Sequence, residues 1–185
     1  SRIAVIVWVL AAFALRAGSI DSQSLWRDEV DALCYAHTFP HLVLQAVDPY
    51  GTDELIPGLI CPSLPVSPAQ SADEDILRRL LRTLGGMVRE NGPLYFFLLR
   101  GWIALTGTTG YALRFFSLFF GVLCVPLSYV LGRRLFDSLS GLLASVIVAV
   151  SPYLIWYSQE VKMYTLVTAL ALLGVYGLRR AVEGR

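Results

Sequence analysis

Two clusters of charge stand where apolar runs of this chain end. Trp26, Arg27, Asp28 and Glu29 come a few residues after the run from Ile3 to Leu15. Glu160 and Lys162 stand in the turn YSQEVKMY between two further apolar runs, and Arg114 opens another. A carboxylate can take the proton of a hydroxyl as that hydroxyl becomes a nucleophile. An arginine or lysine beside it can hold a phosphate as it leaves. Carboxylates ringed by cations at the edge of a bilayer therefore suit transfer of a group from a phosphate-linked donor to a hydroxyl acceptor. Plainer readings stand beside this one. Asp28, Glu29 and Asp31 can belong to a solvated loop, Glu160 and Lys162 can form a surface ion pair of little weight, and Arg114 can reach the headgroups from a helix end.

The elements that would position these residues are membrane spans. The chain has 185 residues, of which 56% are hydrophobic, and its mean hydropathy is +0.61. That is too apolar for a soluble domain of this size. The 15 basic and 14 acidic residues leave a net charge of +1, so the overall balance points to no nucleic acid. Four segments can cross a bilayer, at about residues 3–20, 111–131, 139–157 and 163–178. At 1.5 Å per residue they reach roughly 24–32 Å. Pro126 and Pro152 fall inside two of them, where neighbouring helices can take up the carbonyls that proline leaves without a donor. Arg16 follows the first run directly, and no small-residue cleavage site marks that run as a removable signal.

Arginine pairs set the sides. Arg133–Arg134 and Arg179–Arg180 should face the cytoplasm, together with Arg2. Residues 21–110 then form one long outer loop, with 11 acidic residues and 6 arginines. The run 93–107 covers only about 22 Å and carries Arg100. It is expected along the outer surface as an interfacial helix, with Tyr95, Phe96, Phe97 and Trp102 at headgroup depth. Ser71 to Glu74 read as a capping box. Beyond it Ile76, Leu77, Leu80, Leu81, Leu84 and Val88 line one helical face, and Arg78, Arg79 and Arg82 the other. That predicts an amphipathic helix over about 73–89, its arginines facing headgroups. Val30, Leu33, Cys34 and His37 predict a shorter one over about 28–38, and 48–70 reads as an irregular insertion. His37 and His41 read as structural. Cys34 and Cys61 can pair if the loop lies outside the cytoplasm, whereas Cys124 sits in an apolar run. The expected fold is an all-α polytopic membrane protein, a single membrane domain over 1–185 with four transmembrane helices and outer-face amphipathic juxtamembrane helices.

The order of motifs resembles the first part of bacterial membrane glycosyltransferases of the C superfamily (GT-C), the group related to protein O-mannosyltransferases and lipid A aminoarabinose transferases. A W-x-DE motif after the first span is met by Trp26-Arg27-Asp28-Glu29. A segment like HPPLYYLLLRxW is met from Asn91 to Trp102, with Asn91-Gly92-Pro93 in place of His-Pro-Pro. An ALRxxSxxFG…GRRLF segment is met by Ala112-Leu113-Arg114, Ser117, Phe120-Gly121 and Gly132 to Phe136. SPxxxxYSQExxMY is met by Ser151-Pro152, Tyr157 to Glu160 and Met163-Tyr164.

The resemblance implies a polyprenyl-phosphate-linked sugar as donor. It implies inverting, mannosyltransferase-like transfer to an acceptor hydroxyl at the outer face of the bacterial cytoplasmic (inner) membrane. Asp28 would be the general base, and Glu29 and Glu160 would orient substrates or the base. Arg114 and Lys162 would contact the donor phosphate, with Trp26, Asn91, Tyr157 and Tyr164 completing the substrate-binding set. The residues form no metal-type cluster, and a divalent metal is left open. Members of that group continue for many more spans. The other reading of a four-span chain is a truncated, non-catalytic glycosyltransferase-like subunit, packed against other integral membrane subunits in a larger complex. A transporter or channel fragment ranks below both.

Overall fold

The computed structural model of the chain describes residues 2–18, 20, 29–30, 32–36, 78, 81, 85 and 92–184. These residues form helices and turns, with no strand among them. Six helices are bounded: α1 (Arg2–Ala17), α2 (Pro93–Thr106), α3 (Gly110–Leu135), α4 (Ser138–Val150), α5 (Pro152–Ser158) and α6 (Tyr164–Val182). Glu29, Val30, Ala32 to Ala36, Arg78, Leu81 and Gly85 are also helical, within the two stretches expected to be so. The capping box, most of the 73–89 helix, the 48–70 insertion, His37, His41 and Cys61 lie outside the described residues. The chain divides into two compact units, one of Ser1–Ser24 with Thr108–Arg185 and one of Leu25–Gly107.

The first unit is built on α3. Its run of apolar residues starts cleanly because Thr109 caps it, accepting from the Ala112 amide at 3.2 Å. Asp137 caps α4 in the same way, accepting from the Ser140 amide at 2.6 Å. The short Phe136–Asp137 turn therefore returns the chain as a helical hairpin. Small residues let the two helices of that hairpin touch. A methyl group on Gly141 would stand 2.6 Å from the Tyr129 carbonyl oxygen, and one on Gly132 2.9 Å from the Gly141 Cα. Gly141, Ser145 and Ala149 form the buried stripe of α4 at four-residue spacing, the small-residue seam by which apolar helices pack when lipid offers no hydrophobic drive.

The same logic fixes α1 and α6. Ala12 of α1 packs with Val125 and Ala149, flanked by Trp8, Val9 and Val148. Ser117 and Thr165 join α3 to α6 in a reciprocal pair. Ser117 Oγ donates to the Lys162 carbonyl at 3.2 Å, and Thr165 Oγ1 donates to the Ser117 carbonyl at 2.9 Å. Cys124, a free and buried thiol, meets the Thr165 carbonyl at 3.8 Å. Outward-facing positions are long and apolar instead: Ile3, Ile6, Leu10, Leu139, Ile147 and Leu178 are all well exposed. Polar groups inside and hydrocarbon outside is the arrangement a bilayer solvates.

Two helices, α3 and α6, are long and apolar enough to cross a membrane, and a third crossing is made if α4 and α5 count as one broken span. The expected span 139–157 is thus two helices meeting at 54°. Ser151 ends one and caps the other, its Oγ accepting from the Leu154 amide. Pro152 follows at the first helical position, where a missing N–H costs least. The expected span 3–20 is the 16-residue α1, counted with α2 among the shorter apolar helices.

In the second unit α2 is a helix of 14 residues starting at Pro93, close to the expected 93–107. Its inward face is Tyr95, Phe96, Leu99 and Ile103. Phe96 lies 5.3 Å from the ring of Tyr35 and 5.7 Å from that of Tyr95. Two of the four aromatics expected at headgroup depth are therefore core residues, and Phe97 remains exposed. Ala32 to Ala36 are buried as well, and Cys34 among them is disulfide-bonded.

Candidate functional site

Cations gather where α1 ends, α3 begins and the broken span turns back. Arg114, one turn into α3, is 3% exposed. Its Nη1 donates to the Ile20 carbonyl at 2.9 Å, just past the end of α1. That buried bond sets aside a side chain that merely reaches for headgroups. Ser117, three residues further along α3, holds the Lys162 carbonyl. Lys162 is thereby drawn against α3 within a turn of Arg114 and is 9% exposed. Glu160 is half-buried in the same turn, its carbonyl accepting from the Lys162 amide at 2.9 Å. The turn is thus held to α3 through its backbone.

Aromatic rings flank it. Tyr157 lies 4.2 Å from Tyr164 and 4.5 Å from Tyr153, centroid to centroid, in tilted and edge-on contacts. Each such contact is worth about 0.5–1.5 kcal/mol beyond the area it buries. Tyr153 and Trp156 keep more than half their surface exposed, as expected of an aromatic belt.

A residue that sequence reasoning passed over lies at the centre of this end. Arg16 is completely buried. Its Nη2 donates to the Val148 carbonyl at 3.0 Å, and its Nη1 to the Ala149 carbonyl at 2.9 Å and the Ala12 carbonyl at 3.1 Å. Its Nε donates to Ser158 Oγ at 3.2 Å. Val148 is the residue whose carbonyl would accept from position 152 in a continuous helix, and position 152 is proline. The guanidinium takes the place of the missing amide. Ser158 Oγ in turn donates to the Leu154 carbonyl. Gln159 Nε2 donates to the Arg16 carbonyl at 3.0 Å, closing the loop back to α1. Gly121 of α3 makes room for all of this: a methyl group there would lie 2.0 Å from Ser158 Oγ and 3.4 Å from Arg16 Nε.

Of the expected site residues, Arg114, Tyr157, Glu160, Lys162 and Tyr164 all belong to the first unit. Glu29 belongs to the second, where it is helical and fully buried. Trp26, Asp28 and Asn91 lie outside the described residues. Ser158, Gln159 and Gly121 stood in the quoted motifs without a role. The signal for Arg16 was available in principle: an arginine directly behind an apolar run, in a chain with a proline inside a later run, can serve the carbonyls that proline leaves open.

A sequence model described as dolichyl-phosphate-mannose-protein mannosyltransferase matches residues 90–185, a little over half of the chain and every helix from α2 to α6. No curated protein and no solved structure gives a match.

Proposed function

Because the chain belongs to the dolichyl-phosphate-mannose-protein mannosyltransferase family, we propose that it transfers a sugar from a polyprenyl-phosphate donor to an acceptor hydroxyl at the outer face of a bacterial cytoplasmic membrane. The observation that carries the proposal is the pair of buried cations at one end of the first unit. The Arg114 guanidinium donates to the Ile20 carbonyl just past α1, and Lys162 is held against α3 through its own carbonyl, which accepts from Ser117 Oγ three residues beyond Arg114. Prepositioned positive charge in a poorly solvated site stabilises a phosphate leaving group far better than a mobile surface lysine does.

In the proposed reaction Asp28 takes the proton of the acceptor hydroxyl. The acceptor oxygen attacks the anomeric carbon from the face opposite the phosphate. The bond to the phosphate oxygen breaks, and its electron pair leaves on the polyprenyl phosphate beside Arg114 and Lys162. One in-line displacement inverts the anomeric carbon. Glu29 and Glu160 orient the base or the acceptor. Trp26, Asn91, Tyr157 and Tyr164 hold the sugar and the first part of the lipid. The disulfide at Cys34 supports placing the 21–110 stretch in an oxidising, non-cytoplasmic compartment.

The test is transfer by the protein reconstituted in vesicles with a polyprenyl-phosphate sugar. Asp28→Asn is expected to lower the rate by at least about 100-fold, the usual weight of a general base, at unchanged expression. Undiminished transfer by that variant removes Asp28 from the mechanism.

A further inference from the structure

The far end of α3 carries a second charged feature that sugar transfer does not use. Arg133 and Arg134 close α3, and Arg179 and Arg180 close α6. Beside these ends lies a cavity of about 250 Å³ lined by Tyr129, Val130, Arg133, Arg134 and Tyr176. Arg114 and Ser117 stand at the opposite end of the same helix, so this cavity is distinct from the candidate transfer site.

Its charges do not cancel. Glu183 is shared by two arginines, accepting from Arg134 Nη2 at 2.8 Å and from Arg179 Nε at 2.8 Å. Asp137 is committed to the Ser140 amide. Among the described residues Arg133 has no ion-pair partner, and it is exposed on the cavity wall. Arg134 is held in place, with Nη1 donating to the Tyr176 hydroxyl at 2.9 Å and Cζ 5.0 Å from the centre of that ring. The Tyr176 hydroxyl accepts this bond and has its own hydrogen to donate. The cavity thus offers a fork of donors from Arg133, a fixed second guanidinium and a phenolic O–H, against an apolar wall at Val130. A phosphate ester matches that set in charge and in donor–acceptor sense.

Depth and size narrow the source. The 26 residues of α3 rise about 39 Å, more than the roughly 30 Å of hydrocarbon in a bilayer, so its last turn reaches the headgroup layer. Val130, 44% exposed, opens the cavity toward the apolar flank of the helices. The volume lies just under the roughly 300–1,000 Å³ of pockets that enclose whole small-molecule ligands. It suits a headgroup whose acyl chains stay in the bilayer.

We propose that this cavity binds the phosphate of an anionic phospholipid, with Arg133 as its main ligand and Arg134 and Tyr176 as the fixed second side of the site.

The experiment uses the full chain, delipidated in detergent. It is titrated with dioctanoyl phosphatidylglycerol, dioctanoyl phosphatidylcholine or inorganic phosphate, with bound lipid counted by native mass spectrometry. Phosphatidylglycerol is expected to bind well ahead of phosphatidylcholine. Arg133→Gln is expected to weaken it about five-fold, the worth of one cation near a lipid phosphate, and Tyr176→Phe by less. Arg180→Gln makes the same charge change outside the cavity and is expected to leave binding little altered. Equal binding of the two lipids overturns the proposal. So does equal loss in Arg180→Gln, which would mean diffuse surface charge, and so does full displacement by inorganic phosphate, which would mean a soluble ligand.

Discussion

Gly121 is the position where a single methyl group decides most. A Cβ there would sit 2.0 Å from Ser158 Oγ and 3.1 Å from Ser158 Cβ. The hydroxyl cannot simply swing away, because it accepts from Arg16 and donates to Leu154. Gly121→Ala is expected to destabilise the detergent-solubilised protein by about 1–3 kcal/mol, the cost of overpacking a filled site. Ser158→Ala removes the nearest atom but leaves its Cβ in place, so the double variant should lose less than the two single losses added together. Thermal unfolding of the four proteins closes that cycle, and strict additivity would show that the two residues do not share the site. Neither residue could be assigned this role from the sequence. Gly121 and Ser158 were visible as motif letters, but their contact joins positions far apart in the chain, and no local pattern encodes it. Arg114 stood out in the sequence as a cation opening an apolar run; that it is buried follows only from where α1 ends.

At the scale of elements, apolar runs located the helices, and their length did not show that one is broken. The hydropathy of 139–157 carries straight across Ser151 and Pro152, because hydropathy counts side chains and a break is a backbone event. What makes the 54° bend stable is Arg16, supplied by another helix. Arg16→Met strips the guanidinium donors from three carbonyls, those of Ala12, Val148 and Ala149, and is expected to cost at least about 2 kcal/mol, with Arg16→Lys recovering part of it. Pro152→Ala returns an amide to serve the Val148 carbonyl, so Arg16→Met should cost less in that background. An undiminished cost there would show that Arg16 acts through something other than the break. The α3 and α6 ends are tied by a different kind of bond, open to water. Hydrogen bonds from Arg134 and Arg179 hold the Glu183 carboxyl below its ordinary value of 4.5. A carboxylate whose folded pKa is depressed adds stability above the unfolded value and loses it as pH falls through the folded one. Melting temperature against pH should therefore fall on the acid side of 4.5, and the fall should be shallower in Glu183→Gln. Identical acid limbs would show that this triad contributes nothing.

At the scale of the whole chain, composition announced a membrane protein and the structure gives the physical form of that statement. Among the described residues five buried serine and threonine hydroxyls, Ser117, Ser128, Ser145, Ser158 and Thr165, each donate to a backbone carbonyl, while long apolar side chains such as Ile3, Leu10, Ile147 and Leu178 face outward. The same inversion leaves sidedness to be argued from charge. The arginine pairs of α3 and α6 stand at helix ends remote from Arg114 and Lys162, and the positive-inside rule assigns the paired ends to the cytoplasm. Sugar transfer at the outer face requires that assignment, because it puts Arg114 of α3 and Lys162 of the turn before α6 on the other side. Two exposed positions in the first unit report on it. Thr108 precedes α3, and Ser138 opens α4 after the arginine pair. With a membrane-impermeant thiol reagent on intact cells, and the unsubstituted chain as blank, Thr108→Cys is expected to label and Ser138→Cys to label only after permeabilisation. The reverse pattern would put Arg114, Lys162 and Glu160 against the cytoplasm, and transfer to an outer acceptor could not take place there.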